Sequence, residues 1–206
     1  ISWFSILVFK WFPEAFIYIN ELCYFVFLIH AVLFYHIVFE VTRSSEQEHF
    51  SYWHYFVPVL LPLILFVWSR FVPVSEQMAL NINMTEVENA NSWYARFYTS
   101  KISMRLIFSI IYTSLGIVRI HRYHKYVVAA QVKLADFWEK WLIMLLLLSF
   151  LLVIMPLLAF ISSKSTFLDS VLPLVGILTL AGLHITLTFN MVNGNINIPA
   201  VRQINR

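Results

Sequence analysis

Charged residues and cysteine are both scarce in this 206-residue chain. Only 12% of its residues are charged, against about 25% in an average soluble domain, whereas 60% are hydrophobic and 17% are aromatic. One small soluble core could not hide that much apolar surface, so the composition excludes a soluble protein and predicts an integral membrane protein. The single cysteine, Cys23, excludes a disulfide framework and a cysteine-rich metal site.

Common enzyme motifs are also lacking. The four glycines form no glycine-rich phosphate loop, and neither a Gly-x-Ser-x-Gly nor a His-Glu-x-x-His pattern occurs. His121 and His124 lie among Arg119, Arg122 and Lys125, where repulsion between cations opposes metal binding. We therefore expect no enzyme activity, no metal site and no cofactor. The balance of 14 Lys and Arg against 11 Asp and Glu is too mild to imply that this chain itself binds nucleic acid.

Long apolar runs are what the chain does contain. A helix needs about 20 apolar residues to cross about 30 Å of hydrocarbon. On this basis we predict an all-α membrane helix bundle with six visible spans, at residues 1–8, 15–41, 55–74, 102–118, 138–161 and 168–191. The first run is too short to cross, which suggests that this span is truncated, and one missing earlier span would give a total of seven. The short connection at residues 162–166 makes the last two spans antiparallel neighbours.

The basic residues predict an orientation, because Lys and Arg accumulate on the cytoplasmic side of a membrane. Arg119, Arg122, Lys125 and Lys133 follow the fourth span, whereas residues 75–100 carry three glutamates and one arginine. We therefore place the former inside and the latter outside. The chain is then a multi-pass protein of the inner (cytoplasmic) membrane, with a bundle at residues 1–195 and a cytoplasmic linker at residues 196–206.

Ionisable residues inside spans are costly, which makes them candidates for function. Glu21 lies in the outer part of the second span. Arg105 lies one turn inside Lys101, and we expect Lys101 to reach water while Arg105 points into the bundle and pairs with Glu21. Arg70 lies about one turn from the outer end of the third span, where extension of the side chain to the interface would explain it equally well.

The fourth span carries a face of polar or small residues. Arg105, Ser109, Tyr112 and Gly116 fall within about 60° on a helical wheel, at 100° per residue. Such a face indicates either packing against other helices or a polar cavity, and both alternatives stay open.

The outer connection at residues 75–100 is the longest one. It places Trp93 and Arg96 near the outer interface, where we predict that they form part of a ligand entrance. Aromatic residues also gather at membrane interfaces without any ligand, so an aromatic belt is the alternative.

Four short motifs point to a family. They lie at residues 55–61 (YFVPVLL), 67–73 (VWSRFVP), 119–123 (RIHRY) and 189–195 (FNMVNGN). In order and spacing they resemble the multi-span N-terminal region of membrane-bound AraC-type transcription regulators of the Bacteroidota. The resemblance implies seven helices, an outside N-terminus, and a last helix that leads into a cytoplasmic pair of helix-turn-helix motifs that bind DNA.

Composition, topology and resemblance together predict a signal-sensing transmembrane module. Its expected partners are the lipid bilayer, a small-molecule or peptide signal, a second copy of the chain, and DNA only through a C-terminal domain outside this sequence. Two other classes stay open. One is a transporter or channel module, for which Pro156 and Pro173 could kink helices; the other is a structural subunit of a membrane complex.

Overall fold

The computed structural model describes residues 8, 11–45, 47–80, 93–129, 137–161 and 172–192. These residues form helices and contain no strand, which confirms the predicted all-α fold class. The helices are α1 (Pro13–Val41), α2 (Phe56–Ser69), α3 (Val74–Met78), α4 (Trp93–Ala129), α5 (Phe137–Ile161) and α6 (Leu172–Val192), and a 3₁₀ turn at Tyr52–Tyr55 leads into α2.

Among the described residues, three helical stretches are long and apolar enough to cross a membrane: Glu14–Val41, Tyr52–Ser69 and Trp93–Ala129. They overlap the second, third and fourth predicted spans. A shorter apolar stretch, Leu174–Phe189, lies in α6. The predicted first span lies outside the described residues except for residue 8, so the count of six spans stays a prediction.

Large apolar side chains remain exposed along these helices. A water-soluble protein rarely exposes broad apolar patches, so lipid is the solvent that suits this surface, and the exposure supports membrane insertion. Examples exposed by 44% or more are Leu63, Phe66, Val67, Ile107, Ile110, Ile111, Leu147, Ile177 and Leu178.

Helix α4 departs most from the prediction. The predicted span covers residues 102–118, but α4 begins at Trp93 and ends at Ala129, so its 37 residues extend about 56 Å. It includes residues 93–100, which we expected in a loop, and the basic stretch that begins at Arg119. No proline interrupts this segment, and Arg, Lys and Leu favour helix. Hydropathy marks the part of a helix that suits hydrocarbon, not the point where the helix ends.

The turn after α2 is fixed by hydrogen bonds. The predicted third span extends to residue 74, but α2 ends at Ser69, and Pro73 disfavours helical geometry at the residue before it. The Nε2 of Gln77 donates to the carbonyl oxygens of Ser69 and Val72 at 2.7 and 2.9 Å. The last carbonyls of a helix lack partners within it, so Gln77 on α3 satisfies part of this end of α2.

The chain divides into two compact units, Ile1–His30 with Tyr52–Arg105, and Ala31–Ser51 with Leu106–Arg206. In the second unit, α5 packs against α6, which confirms that these two predicted spans are neighbours. The core residues of α1 and of α4 are spaced by three or four, which places them on one face of each helix. The core residues of this unit are Phe34, Val38 and Val41 of α1, Ile120, Tyr123 and Val127 of α4, Trp141, Leu142, Leu145, Leu146 and Leu152 of α5, and Leu183 of α6.

Candidate functional site

The first unit encloses a group of polar side chains from α1 and α4. Glu21 is 5% exposed and Lys101 is 4% exposed. Polar groups inside membrane-spanning helices are costly and mark functional sites by default. We call the group the buried polar cluster, and its members are Asn20, Glu21, Tyr94, Tyr98, Lys101 and Arg105.

Helical spacing explains why the α4 members lie together. Tyr94, Tyr98, Lys101 and Arg105 follow one another at intervals of four, three and four residues, which keeps them on one side of the helix. Tyr94, Tyr98 and Lys101 are buried, and Arg105 is partly buried. The opposite helix, α1, supplies two consecutive polar residues to the cluster.

Lys101 connects the two helices. Its Nζ donates a hydrogen bond to Oδ1 of Asn20 at 3.0 Å, and the same nitrogen lies 3.2 Å from the centre of the Tyr98 ring. The expectation that Lys101 reaches water is therefore wrong. The physical reason is that α4 begins eight residues before Lys101, so this lysine lies well inside a helix and not at its end.

Glu21 lies within the electrostatic reach of two cations. Its carboxyl interacts with the ammonium group of Lys101, with the guanidinium of Arg70 and with the side chain of Ser69. No Lys or Arg nitrogen lies within 4.0 Å of it among the described residues. Its charge is therefore compensated at a distance and not by a closed ion pair.

Arg105 does not pair with Glu21 as we predicted. The guanidinium carbon of Arg105 lies 4.4 Å from the centre of the Phe27 ring and 5.9 Å from that of Tyr24. Aromatic faces attract cations, and Tyr24 and Phe27 are one turn or less apart on α1. Arg105 therefore packs on an aromatic surface of α1, whereas Lys101 takes the polar position near Glu21.

Among the described residues, four buried polar atoms of the cluster have no hydrogen-bond partner within 3.5 Å, although the Asn20 side chain also acts on the Tyr98 hydroxyl. The four atoms are Nδ2 of Asn20, Oε2 of Glu21, the hydroxyl oxygen of Tyr94 and Nε of Arg105. Leaving such an atom unpaired costs about 1–3 kcal/mol, and more when the group is charged. The cluster therefore lowers the stability of the first unit, which is unusual for a purely structural core.

The other predicted site residues of the first unit are exposed. Arg70 is exposed and its guanidinium lies 4.5 Å from the centre of the Phe66 ring. Trp93 is 75% exposed, and the guanidinium of Arg96 lies 5.6 Å from its ring centre. This pairing of an exposed tryptophan with an arginine fits an aromatic belt, and the ligand-entrance hypothesis stays a prediction.

Ser109, Tyr112 and Gly116 belong to the second unit and are all buried. The Tyr112 ring centre lies 5.7 Å from that of Tyr35. At Gly116 a Cβ atom would meet Cδ1 of Leu146 at 2.7 Å. Of the two alternatives for this face, these contacts favour helix packing. Arg105 differs from the other three because it belongs to the first unit.

A second polar arrangement holds the segment after α1 against α4. The Nη1 of Arg119 lies 2.8 Å from Oε1 of Glu48, and its Nε donates to Oγ1 of Thr42 at 2.8 Å. The backbone N–H of Ser44 donates to the other Glu48 oxygen at 3.2 Å. The hydrogen bond from Arg119 holds the pKa of Glu48 below its ordinary value, although desolvation opposes this.

Near the C-terminal end of α4, Nδ1 of His124 lies 2.7 Å from Oε2 of Glu139 on α5. His121, Arg122 and Lys125 are exposed, as expected for a basic patch at an interface. Within the described ranges, no three His, Cys, Asp or Glu side chains are placed to hold a metal ion.

Sequence reasoning missed four members of the buried polar cluster: Asn20, Tyr94, Tyr98 and Lys101. A signal for them was present in two places. Asn20 is a polar neighbour of Glu21 inside an apolar run, and the 4-3-4 spacing of the α4 residues becomes visible once the helix is extended back to Trp93.

Comparison with known proteins adds no relative. No protein-family model matches the chain, and no curated protein or solved structure matches it.

Proposed function

We propose that this chain is the transmembrane signal-sensing part of a membrane-bound transcription regulator, and that the buried polar cluster recognises its signal. The observation that carries the proposal is the cluster itself: Lys101 bonded to Asn20, with unpaired polar atoms around it, inside a unit built from membrane-spanning helices. A purely structural bundle would gain stability from apolar residues at these positions.

The regulator half of the proposal rests on the motifs that resemble AraC-type membrane regulators. In this proposal a seventh span precedes the six, the chain crosses the cytoplasmic membrane, and residues 196–206 lead to helix-turn-helix motifs. DNA is then contacted only by that C-terminal domain, and two copies of the chain act together.

A signal acts by binding one packing state of the helices more tightly than another. To move the protein from about 1% to about 99% of one state, the signal must have affinities for the two states that differ by about 10⁴-fold. Helix α4 carries Lys101 and Arg105 near one end and Arg119 further along. Because Arg119 binds Glu48, a ligand that displaces Lys101 acts on the same helix that binds Glu48. A change in α4 is the physical link that the proposal requires.

A transporter or channel module is the main alternative, because ionisable residues inside spans also line ion and proton pathways. The test is a comparison of transcripts between cells with and without the full-length gene. The proposal predicts that a small set of genes changes and that expression of the gene from a plasmid reverses the change. An unaltered transcript profile would contradict it, and altered solute uptake in those cells would support the transporter.

A further inference from the structure

The buried polar cluster contains two basic side chains, Lys101 and Arg105, and one acidic side chain, Glu21. Lys101 and Arg105 are four residues apart on α4, so their like charges oppose each other. Glu21 is the carboxylate that acts on Lys101, and neither cation has a carboxylate oxygen within 4.0 Å among the described residues. Arg70, which also acts on Glu21, is exposed, where solvent screens its charge. One negative charge would balance the buried part of the cluster.

The unpaired atoms show the same imbalance. Asn20 Nδ2 and Arg105 Nε can only donate, the Tyr94 hydroxyl can donate, and Oε2 of Glu21 is the one unpaired acceptor among these four atoms. A carboxylate accepts up to about four hydrogen bonds through two oxygens and donates none. Its shape also matches the planar fork of a guanidinium.

We propose that the buried polar cluster binds a small organic carboxylate that carries a hydroxyl or amino group next to the acid. Arg105, Asn20 and the Tyr94 hydroxyl donate to the carboxylate, Lys101 balances its charge, and the neighbouring hydroxyl or amine donates to Oε2 of Glu21. This assignment deepens the proposed function, since it names the chemical class of the signal. It differs from the initial Arg105–Glu21 pairing because the ligand, and not Glu21, supplies the anion for Arg105.

The ligand can reach the cluster from water or from the lipid phase, and three probes separate these sources. Lactate and glutamate are water-soluble carboxylates with a neighbouring donor, and 2-hydroxyoleate is a carboxylate with a neighbouring hydroxyl that partitions into the bilayer. Lactamide has the size and hydroxyl of lactate but no charge, which makes it the matched control ligand.

The experiment measures the thermal unfolding midpoint of the purified full-length protein in phosphatidylcholine nanodiscs, with each probe titrated. A bound carboxylate raises the midpoint saturably, by several degrees at about 100 times its Kd, whereas lactamide does not. Stabilisation by 2-hydroxyoleate alone assigns the carboxylate to a lipid-phase ligand, and stabilisation by lactate or glutamate assigns it to a water-soluble one. If none of the three raises the midpoint, the carboxylate proposal is wrong.

Two variants locate the binding. Arg105→Gln should weaken the effective carboxylate by at least about tenfold, because it removes a charged donor, whereas Arg122→Gln, an exposed arginine of the same helix, should not. Tyr94→Phe keeps the ring and removes one hydroxyl, so it tests the site even if Arg105→Gln fails to fold. Two results together would overturn the assignment. The first is equal affinity in wild type and Tyr94→Phe. The second is either equal affinity in Arg105→Gln or failure of that variant to fold. A transcript effect of the gene without carboxylate binding would leave the sensor proposal standing and reject only the ligand class.

Discussion

Lys101 on α4 donates a 3.0 Å hydrogen bond to Asn20 on α1, 81 residues earlier in the chain. Both side chains are almost completely buried, at 4% and 3% exposure. An ammonium group in such surroundings is stable only if polar partners replace water. The Asn20 oxygen, the Tyr98 ring and the more distant Glu21 charge are those partners, so this contact joins α1 to α4 within the first unit.

Removing the Asn20 acceptor should therefore destabilise the protein. We expect Asn20→Ala to lower the free energy of unfolding by about 1.5–3 kcal/mol, the usual contribution of a hydrogen bond to a charged group. Replacing both partners, with Asn20→Leu and Lys101→Met in the same chain, should restore most of the lost free energy of unfolding, since an apolar pair leaves no buried charge without a partner. Denaturant unfolding in nanodiscs measures Asn20→Ala, the single variants Asn20→Leu and Lys101→Met, and the double variant. A double variant that loses the sum of the two single losses would show that the residues do not interact.

Stability should depend on pH through Glu48. Its pKa lies below the ordinary value of 4.5 because Arg119 donates a hydrogen bond to its carboxylate, so the folded protein binds this proton less readily than the unfolded chain. The stabilisation is complete above pH 4.5 and is lost as pH falls through the lower folded pKa. We expect Glu48→Gln to cost about 1 kcal/mol at neutral pH and little at the acid end.

The control for this pH dependence is Arg119→Gln. In that background, the effect of Glu48→Gln on the unfolding midpoint should vary less with pH than in the wild type, because only the hydrogen bonds from Ser44 to Glu48 remain. A Glu48→Gln loss that is constant with pH in the wild-type background would contradict the assigned interaction.

Gly116 of α4 and Gly182 of α6 should respond differently to larger residues. Gly116→Ile should lower stability by about 1–3 kcal/mol through overpacking, because its Cβ would lie 2.7 Å from Leu146. The additional change Leu146→Ala should restore part of this loss. Among the described residues, a Cβ atom at Gly182 would have no heavy atom within 4 Å, so Gly182→Ala should stabilise by up to about 1 kcal/mol. Equal effects at both glycines would contradict the close packing of α4 and α5.

Orientation can be tested with single cysteines on a Cys23→Ala background, Cys23 being buried. Phe71, 82% exposed in the turn after α2, should lie outside, and Lys125 should lie inside. An impermeant thiol reagent added to intact cells should therefore label Phe71→Cys and not Lys125→Cys. The reverse labelling would invert the predicted topology.

Helix content and three spans were predictable because hydrocarbon thickness imposes a length on apolar runs. Helix ends were not, as α4 shows: residues 93–100 and the segment from Arg119 onward are polar enough to look like loops, yet nothing in them breaks a helix. Because the apolar segment was taken as the whole helix, Lys101 was predicted to lie at a helix end. That error led to the wrong partner for Arg105.

The candidate site was predictable only in part. Glu21 and Arg105 were identified because single ionisable residues stand out in apolar runs. Their partners were not, because Arg105 packs on Phe27 and Tyr24, and aromatic residues are too frequent in this chain to single out. Glu48 and Arg119 are 71 positions apart, and no local pattern links two such distant charges.

The most direct test of the central claim compares two lysines of α4 in living cells. Cells that lack the gene receive wild type, Lys101→Met or Lys125→Met, with equal membrane levels of protein, and the transcripts that respond to the gene are measured. The account predicts that Lys101→Met no longer shows the wild-type pattern, because the buried polar cluster has lost its central cation, while the exposed Lys125→Met retains it. A wild-type transcript pattern with Lys101→Met would contradict the claim that this cluster recognises the signal.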